Sequence, residues 1–323
     1  MIFNVSNTKK NIKKMNIVAD DPLLINDFSH YILNRFGERV QKLSVDAGFT
    51  CPNRDGSISF GGCTYCNNKK FNSGSEKLGS SVTQQIQTQI LNIKRKYKNV
   101  KKYIIYFQAY SNTYAPIEHL KNLYLEALAF PGVVGLTIGT RPDCINEEIL
   151  DFLEKLTSDY YITVEYGLES MSDETLRLIN RGHDYQCFLR AINMTKNRGI
   201  HICTHLMIGF PWETKEHYIK TAKELSLLDI DYLKVHQLQI VKNTLMGNEF
   251  IKKPFHLFSK FEYLEILSQF MINLSSRIII QRVAGDCPLS LLLASGWSES
   301  SNEIKKELIK QMRLNSQYQG MLA

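Results

Sequence analysis

The fold is decided by residues 133–168, which read VVGLTIGTRPDCINEEILDFLEKLTSDYYITVEYGL. The stretch opens with apolar and β-branched side chains at Val133–Ile138, which predict a buried strand. Asn146 is a candidate cap for the helix that follows. The apolar side chains of that helix recur at helical spacing, at Ile149, Phe152, Leu153 and Leu156. A second buried run at Tyr161–Leu168 predicts another strand, and two strands joined through a helix lie parallel in one sheet.

The same alternation extends to both sides of this stretch. Further strands are predicted at 42–45, 103–107, 200–208 and 232–240. Helices are predicted at 82–97, 117–128, 173–179, 185–197 and 213–228. The six resulting units predict an α/β fold, an open, partial (β/α)6 TIM-like barrel, because a closed barrel would need two more units. A doubly wound open sheet is the alternative.

The chain divides into three predicted parts. Residues 1–21 carry four lysines among polar residues and predict a basic flexible tail. Residues 22–240 hold the six units and form the predicted core barrel. Residues 241–323 form a predicted C-terminal extension of helices, with an additional apolar run at 277–283 that is typical of a strand.

Composition excludes several classes of protein. The 323 residues are 44% hydrophobic and 22% charged, a globular balance that excludes a disordered or fibrous chain. No apolar run approaches the roughly 20 residues that span a bilayer, so we expect no membrane partner. The net charge of +7 permits a nucleic-acid partner without requiring one. Seven cysteines, an odd number, and a first segment without a signal-peptide core predict a cytoplasmic location.

The strongest chemical signal is the cysteine loop, defined as residues 51–66, CPNRDGSISFGGCTYC. It directly follows the first predicted strand, at the edge of a parallel sheet where active sites gather. Eleven residues separate Cys51 from Cys63, and two separate Cys63 from Cys66. The close spacing of the second pair lets two thiolates reach one metal centre. Three glycines let the loop fold back and bring in the third thiolate.

Three thiolates without a nearby fourth ligand suit an iron–sulfur cluster. A structural zinc ion usually takes four protein ligands, whereas a [4Fe–4S] cluster with three thiolates keeps one iron open for a small molecule. Zinc binding and buried free cysteines are the alternatives on spacing alone. The other four cysteines are scattered and predict buried thiols without a second cluster: Cys144, Cys187, Cys203 and Cys287.

Several further motifs resemble the radical S-adenosylmethionine (SAM) superfamily and, within it, the bacterial YhcC/YtqA family. Besides the cysteine loop, they are KLSVDAGFT (42–50), YFQAYSNTY (106–114), GTRPD (139–143), EYGLES (165–170), NRGHD (180–184) and HLMIGFPWE (205–213). The similarity implies a [4Fe–4S] cluster and SAM as cofactors. It also implies an electron donor, such as flavodoxin or ferredoxin, as a partner.

In this superfamily an electron from the cluster cleaves SAM and releases a 5′-deoxyadenosyl radical, which removes a hydrogen atom from the substrate. Cys51, Cys63 and Cys66 match the three cluster ligands, and Tyr65 matches the aromatic residue before the third cysteine. The resemblance does not identify a catalytic residue that acts on the substrate itself.

The resemblance also implies contacts to SAM. Glu169 matches a position that meets the ribose, where a carboxylate accepts two hydroxyl hydrogen bonds. Gln108 stands where many members carry a Gly-Gly-Glu motif for the methionyl amino group, so the negative charge is missing here. The segment that matches the one beside the adenine consists of Gly209, Phe210 and Pro211.

Other charged side chains have two interpretations. Arg141 and Asp143 face either a cavity or each other in a surface salt bridge. Arg181 either holds an anion or belongs to a solvated turn. His236, inside the sixth strand, is more typical of a core histidine than of a cavity residue. The basic run KRKYKNVKK (94–102) indicates either an RNA-binding surface or a solvated helix end.

The substrate is indicated by a weaker resemblance. The motifs are similar to the radical SAM part of the Elongator catalytic subunit and to anaerobic coproporphyrinogen dehydrogenases. The first similarity implies a tRNA substrate, modified at the side chain of a wobble uridine. The first alternative is a radical SAM oxidoreductase that acts on a small molecule such as a tetrapyrrole. The second is a zinc-stabilised nucleic-acid-binding module without catalysis.

Overall fold

The computed structural model describes residues 24–67, 81–97, 99–294, 297 and 299–323. The predicted basic tail at 1–21 and Lys98 of the basic run lie outside the described residues. Within these ranges, no helix is both long enough and apolar enough to cross a membrane.

Seven parallel strands form a curled half-barrel sheet. The strands of the described ranges are β1 (Val40–Val45), β2 (Lys102–Phe107), β3 (Val133–Thr140), β4 (Tyr161–Glu169), β5 (His201–Ile208), β6 (Tyr232–Gln237), β7 (Ile240–Val241), β8 (Ile279–Arg282) and β9 (Leu292–Ala294). The main sheet has the order β1-β2-β3-β4-β5-β6-β8, and β7 pairs with β9 separately. Because this order follows the sequence without a reversal, the partial barrel is confirmed and the doubly wound alternative is wrong.

Helices connect the strands and cover the outer face of the sheet. They are α1 (Phe28–Phe36), α2 (Val82–Lys96), α3 (Ile117–Leu128), α4 (Glu147–Leu156), α5 (Asp173–Leu178), α6 (Tyr185–Thr195), α7 (Lys215–Leu225), α8 (Leu245–Lys252), α9 (Lys260–Ile272) and α10 (Ser301–Leu314). The predicted cap Asn146 accepts a hydrogen bond from the Ile149 N–H at 2.9 Å. α2 begins with a capping box of Ser81 and Gln84, which satisfies two backbone donors at once.

The last two strands of the sheet differ from their predicted ranges. The strand predicted over 232–240 breaks after β6, where the Leu238 N–H donates to the Ile208 carbonyl at 2.9 Å before the chain enters β7. The run predicted at 277–283 contains β8, which pairs with β6 in the register Tyr232 to Ile279. The C-terminal segment therefore contributes the seventh strand of the half-barrel.

Aromatic side chains cover the edge of the half-barrel at which its strands begin. Phe28 of α1 packs edge-on against Tyr232 with ring centroids 5.3 Å apart, and Phe36 packs against Tyr161 at 5.8 Å. The Tyr161 hydroxyl donates to the Tyr232 hydroxyl at 2.7 Å, which closes this aromatic layer. Side chains above the layer therefore face an interior that opens at the carboxyl edge of the sheet.

Candidate functional site

A cavity of about 480 Å³ opens at the carboxyl edge of the sheet. Its described wall includes six residues that the sequence predicted for the cofactors: Cys51, Cys63, Cys66, Tyr65, Gln108 and Glu169. His236 also lines it, so the interpretation of His236 as a core histidine is wrong. The segment predicted to lie beside the adenine, Gly209–Pro211, is not among the described wall residues. Phe210 is buried and stacks on Trp212 with ring centroids 5.7 Å apart, so its contact with the adenine stays a prediction.

The cysteine loop folds back on itself, as its glycines predict. The Gly62 N–H donates to the Asn53 carbonyl at 2.8 Å, and the Cys66 N–H donates to the Cys63 carbonyl at 2.9 Å. Gly62 has φ of 84°, a left-handed conformation that any side chain would strain. With the loop folded back, all three of its cysteines line the same cavity.

A second loop, which follows α5, holds the cysteine loop in place. The Thr64 N–H donates to the Ile179 carbonyl at 2.9 Å. Asn180, in a left-handed conformation, donates from Nδ2 to the Gly62 carbonyl at 3.0 Å. The Asn53 amide donates in return to the Asn180 carbonyl. The sequence offered no role for these two asparagines, whose contacts join positions more than 100 residues apart.

Two buried arginines stand beside the cysteines. Arg181 donates from Nη1 to Cys63 Sγ at 3.5 Å and from Nη2 to the Gly167 carbonyl at 2.6 Å. It is only 7% exposed, so the solvated-turn interpretation is wrong. Burial disfavours its charge, but Cys63, Tyr65 and Glu169 outweigh burial and keep the pKa of Arg181 above its usual range.

The second arginine carries a free donor. Arg141 pairs with both carboxylate oxygens of Asp143, at 2.8 and 2.7 Å. Arg141 itself is 2% exposed and lines the cavity, so its guanidinium is buried at the cavity wall. Its Nη1 is buried and has no hydrogen-bond partner among the described residues. A buried donor without an acceptor is costly, and an anionic ligand group in the cavity would satisfy it.

Glu169 is placed by an irregularity at the end of β4. The pairing of β4 with β5 shifts register between Gly167 and Glu169, and Glu169 has φ of 69°. A left-handed conformation is uncommon for a residue with a side chain and is found at functional sites. The shift directs the carboxylate into the cavity wall, where Oε1 lies 3.7 Å from Arg181 Nη2.

The residues of the wall fit the two groups that the sequence predicted. Burial, with neighbouring Cys63, raises the pKa of the Cys66 thiol to about 11. A bound metal reverses this preference, because a coordinating thiol is deprotonated. Three such thiols suit a [4Fe–4S] cluster with one open iron, and the free Arg141 donor suits a carboxylate such as that of SAM.

Beneath the cysteines lies an inner charge cluster of Lys42, Tyr106, Glu165, His205 and Lys234. Glu165 is fully buried, and it accepts from Lys42 at 3.3 Å, from His205 Nε2 at 2.9 Å and from Lys234. Lys234 Nζ also donates to the Tyr106 hydroxyl at 3.2 Å. Burial alone would raise the pKa of Glu165, but the two lysines hold it well below its usual range. Burial lowers the pKa of Lys234 to about 8.

Sequence reasoning missed this inner charge cluster, although a signal existed. Lys42, Glu165, His205 and Lys234 are polar residues inside strands that otherwise read as buried. On β4, Glu165 and Gly167 lie two residues apart and both line the cavity, which is the alternation expected of a strand. Charged side chains on that side of several strands would have predicted a polar interior.

The basic run lies away from the cavity. Its first three residues, Lys94–Lys96, form the last turn of α2, and its last begins β2. The run therefore connects a helix end to a strand start at the amino edge of the sheet, opposite the cysteine loop.

Comparison with known proteins agrees with this geometry. The Radical SAM superfamily model matches residues 51–225, and a radical SAM C-terminal domain model matches residues 230–313. YtqA of Bacillus subtilis is 34% identical over 321 residues, which cover 98% of this chain and 94% of that protein.

More distant relatives include a tRNA-modifying enzyme. The tRNA uridine(34) acetyltransferase of Methanocaldococcus infernus is 26% identical over 163 residues, which are 50% of this chain and 30% of that enzyme. The solved structure of Elp3 from the same organism superposes with a TM-score of 0.65 at 18% identity, covering 87% of this chain and 64% of that one. The structural similarity to Elp3 shows a shared fold.

Proposed function

Because this chain belongs to the radical SAM superfamily, we propose that it modifies tRNA, at the side chain of a wobble uridine. Members of the superfamily use a [4Fe–4S] cluster and SAM. When bound, the cluster supplies the electron that cleaves SAM and so produces the radical that abstracts hydrogen. The observation that carries the proposal is one cavity lined by three cysteine side chains, by Glu169 and by an arginine with a buried donor.

The residues of the wall have separate tasks in this proposal. Cys51, Cys63 and Cys66 would hold three irons. Arg141 would bind the SAM carboxylate through its free Nη1, and Glu169 would accept from the ribose hydroxyls. The surrounding half-barrel excludes water from these contacts, which strengthens each of them.

The tRNA substrate is supported by a relative, and the size of the cavity limits how an RNA could enter it. The relative named as a tRNA uridine(34) acetyltransferase shares half of this chain. A cavity of about 480 Å³ has no room for a duplex, so an RNA substrate would have to present a single extruded base. The anticodon base would have to turn into the cavity to be modified.

Nucleoside analysis tests the substrate directly. The anaerobically reconstituted protein is incubated with SAM, a reductant and bulk tRNA from a strain that lacks the gene, and the tRNA nucleosides are analysed by mass spectrometry. We expect one modified uridine to change in mass while 5′-deoxyadenosine is released. Release of 5′-deoxyadenosine with an unchanged nucleoside profile would contradict tRNA as the substrate and favour a small molecule such as a tetrapyrrole.

Replacing Glu169 with glutamine tests the SAM site. The substitution keeps the shape of the side chain but removes its charge, so the ribose hydroxyls lose a charge-assisted acceptor. Such a bond contributes about 1.5–3 kcal/mol, and we expect SAM to bind roughly ten- to a hundredfold more weakly. Equilibrium dialysis with the reconstituted protein measures this, with Glu174→Gln on the exposed first turn of α5 as the control. Unchanged affinity in Glu169→Gln would place the ribose elsewhere.

A further inference from the structure

We propose that Arg181 is a positioning residue that raises the reduction potential of the cluster by stabilising the sulfur of Cys63. The inference rests on the proposed function, because it requires that Cys63 binds the cluster. It goes beyond ligand assignment, since it concerns how easily the cluster accepts its electron.

The contact between Arg181 and the sulfur is direct and buried. Nη1 lies 3.5 Å from Cys63 Sγ, and the Asn53 amide is a second donor at 3.7 Å. The two donor residues are largely removed from water, since Arg181 is 7% exposed and Asn53 is 0% exposed. In such a low-dielectric setting a charged donor acts on a thiolate far more strongly than it would in water.

Two further hydrogen bonds hold the guanidinium against the sulfur. Nη2 donates to the Gly167 carbonyl at 2.6 Å, and Nε donates to His183 Nε2 at 3.0 Å. Burial and the two nearby arginines lower the pKa of His183 to about 3, so its ring is neutral and accepts this bond. Gly167 is required here, because a Cβ at this position would lie 2.4 Å from Arg181 Nη2.

The direction of the effect follows from charge. Reduction adds one electron from an external donor, such as a flavodoxin, a ferredoxin or dithionite, and makes the cluster and its sulfurs more negative. A fixed positive charge with an N–H donor at one sulfur favours that reduced state, since hydrogen bonds and net charge both set cluster potentials. Loss of the guanidinium should therefore make reduction harder.

The test compares Arg181→Gln, Arg181→Lys and the control Arg198→Gln. Arg198 pairs with Glu147, Asp151 and Glu154 near the start of β5, at the opposite edge of the sheet, so its removal takes away a similar ion-paired cation without touching the loop. Iron content is measured first. The reduced fraction of the cluster is then followed by electron paramagnetic resonance in samples poised at known potentials.

We expect Arg181→Gln to lower the ratio of reduced to oxidised cluster about tenfold at a given potential, which is about 59 mV for one electron. Arg181→Lys should lower this ratio by less, because lysine keeps the positive charge. It should still lower the ratio, because one ammonium cannot reach both the sulfur and the Gly167 carbonyl. Arg198→Gln should match the wild type.

Two results would overturn the inference. One is an Arg181 variant with full iron content and an unshifted reduction potential. If only Arg181→Lys takes up iron, the reduction potential of that variant is the one compared with the wild type. The other is loss of the cluster from both Arg181 variants while Arg198→Gln keeps it, which would make the role of Arg181 purely structural. A wild-type protein that binds no cluster would instead refute the proposed function, so the two failures are distinguishable.

Discussion

Replacing Cys63 with alanine is expected to abolish cluster assembly and, with it, all release of 5′-deoxyadenosine. Cys63 is the middle cysteine of the loop, and its sulfur receives hydrogen bonds from both Arg181 and Asn53. Its removal leaves two thiols, which cannot hold three irons of a [4Fe–4S] cluster. Iron content after anaerobic reconstitution should fall from about four per chain to background.

Cys187→Ala is the matched control for this experiment. Cys187 is a free, half-buried cysteine on α6 and is not part of the described cavity wall. We expect it to bind iron and cleave SAM like the wild type. A Cys63→Ala protein with normal iron and activity would refute the ligand assignment, and a colourless wild-type protein that carries zinc would support the zinc-stabilised module.

Replacing Glu165 with glutamine should destabilise the fold by about 3–5 kcal/mol. Glu165 neutralises Lys42 and Lys234 inside the half-barrel, and its carboxylate is fully buried. Without the carboxylate, the buried ammonium of Lys234 loses its anion and still lies close to the partly exposed ammonium of Lys42, which costs more than the loss of an exposed pair. The free energy of unfolding in urea, measured under anaerobic conditions, gives the effect.

Glu154→Gln provides the comparison for an exposed ion pair. Glu154 accepts from Arg198 at 2.7 Å but stays about half exposed, so we expect a loss of no more than about 1 kcal/mol. Equal losses in the two variants would mean that the inner charge cluster is hydrated and contributes no more than a surface pair.

The titration of Lys234 gives the pH dependence of this cluster. Its pKa in the fold is about 8, below the ordinary value of 10.5. Between these two pH values the unfolded chain binds more protons at this site, so this lysine makes stability rise with pH across the window. In the Glu165→Gln protein the carboxylate no longer supports the charge of Lys234, so its pKa should fall further. The rise with pH should then be larger and recover part of the lost stability, and the further substitution Lys234→Met should remove it.

Much of the site was predictable because its elements are local. The spacing of Cys51, Cys63 and Cys66 and the glycines between them are properties of one short segment, and the loop folds back as expected. The alternation of strand and helix patterns likewise predicted a partial barrel, since periodicity reports which face of each element is buried. The boundary between β6 and β7 was missed, although the apolar positions change phase there, from Leu233 and Val235 to Leu238 and Ile240.

By itself, the sequence determined the class of fold, the cysteine loop and the family resemblance, all of which depend on spacing within short segments. Only the tertiary structure decided that Arg181 is buried against Cys63, and that Glu165 meets Lys42 and Lys234 across 123 and 69 residues. The physical reason is that alternation along a strand shows the face of a side chain but not its neighbours. Those neighbours, and the loss of water that makes their charges matter, arise only when the sheet curls and its strands come side by side.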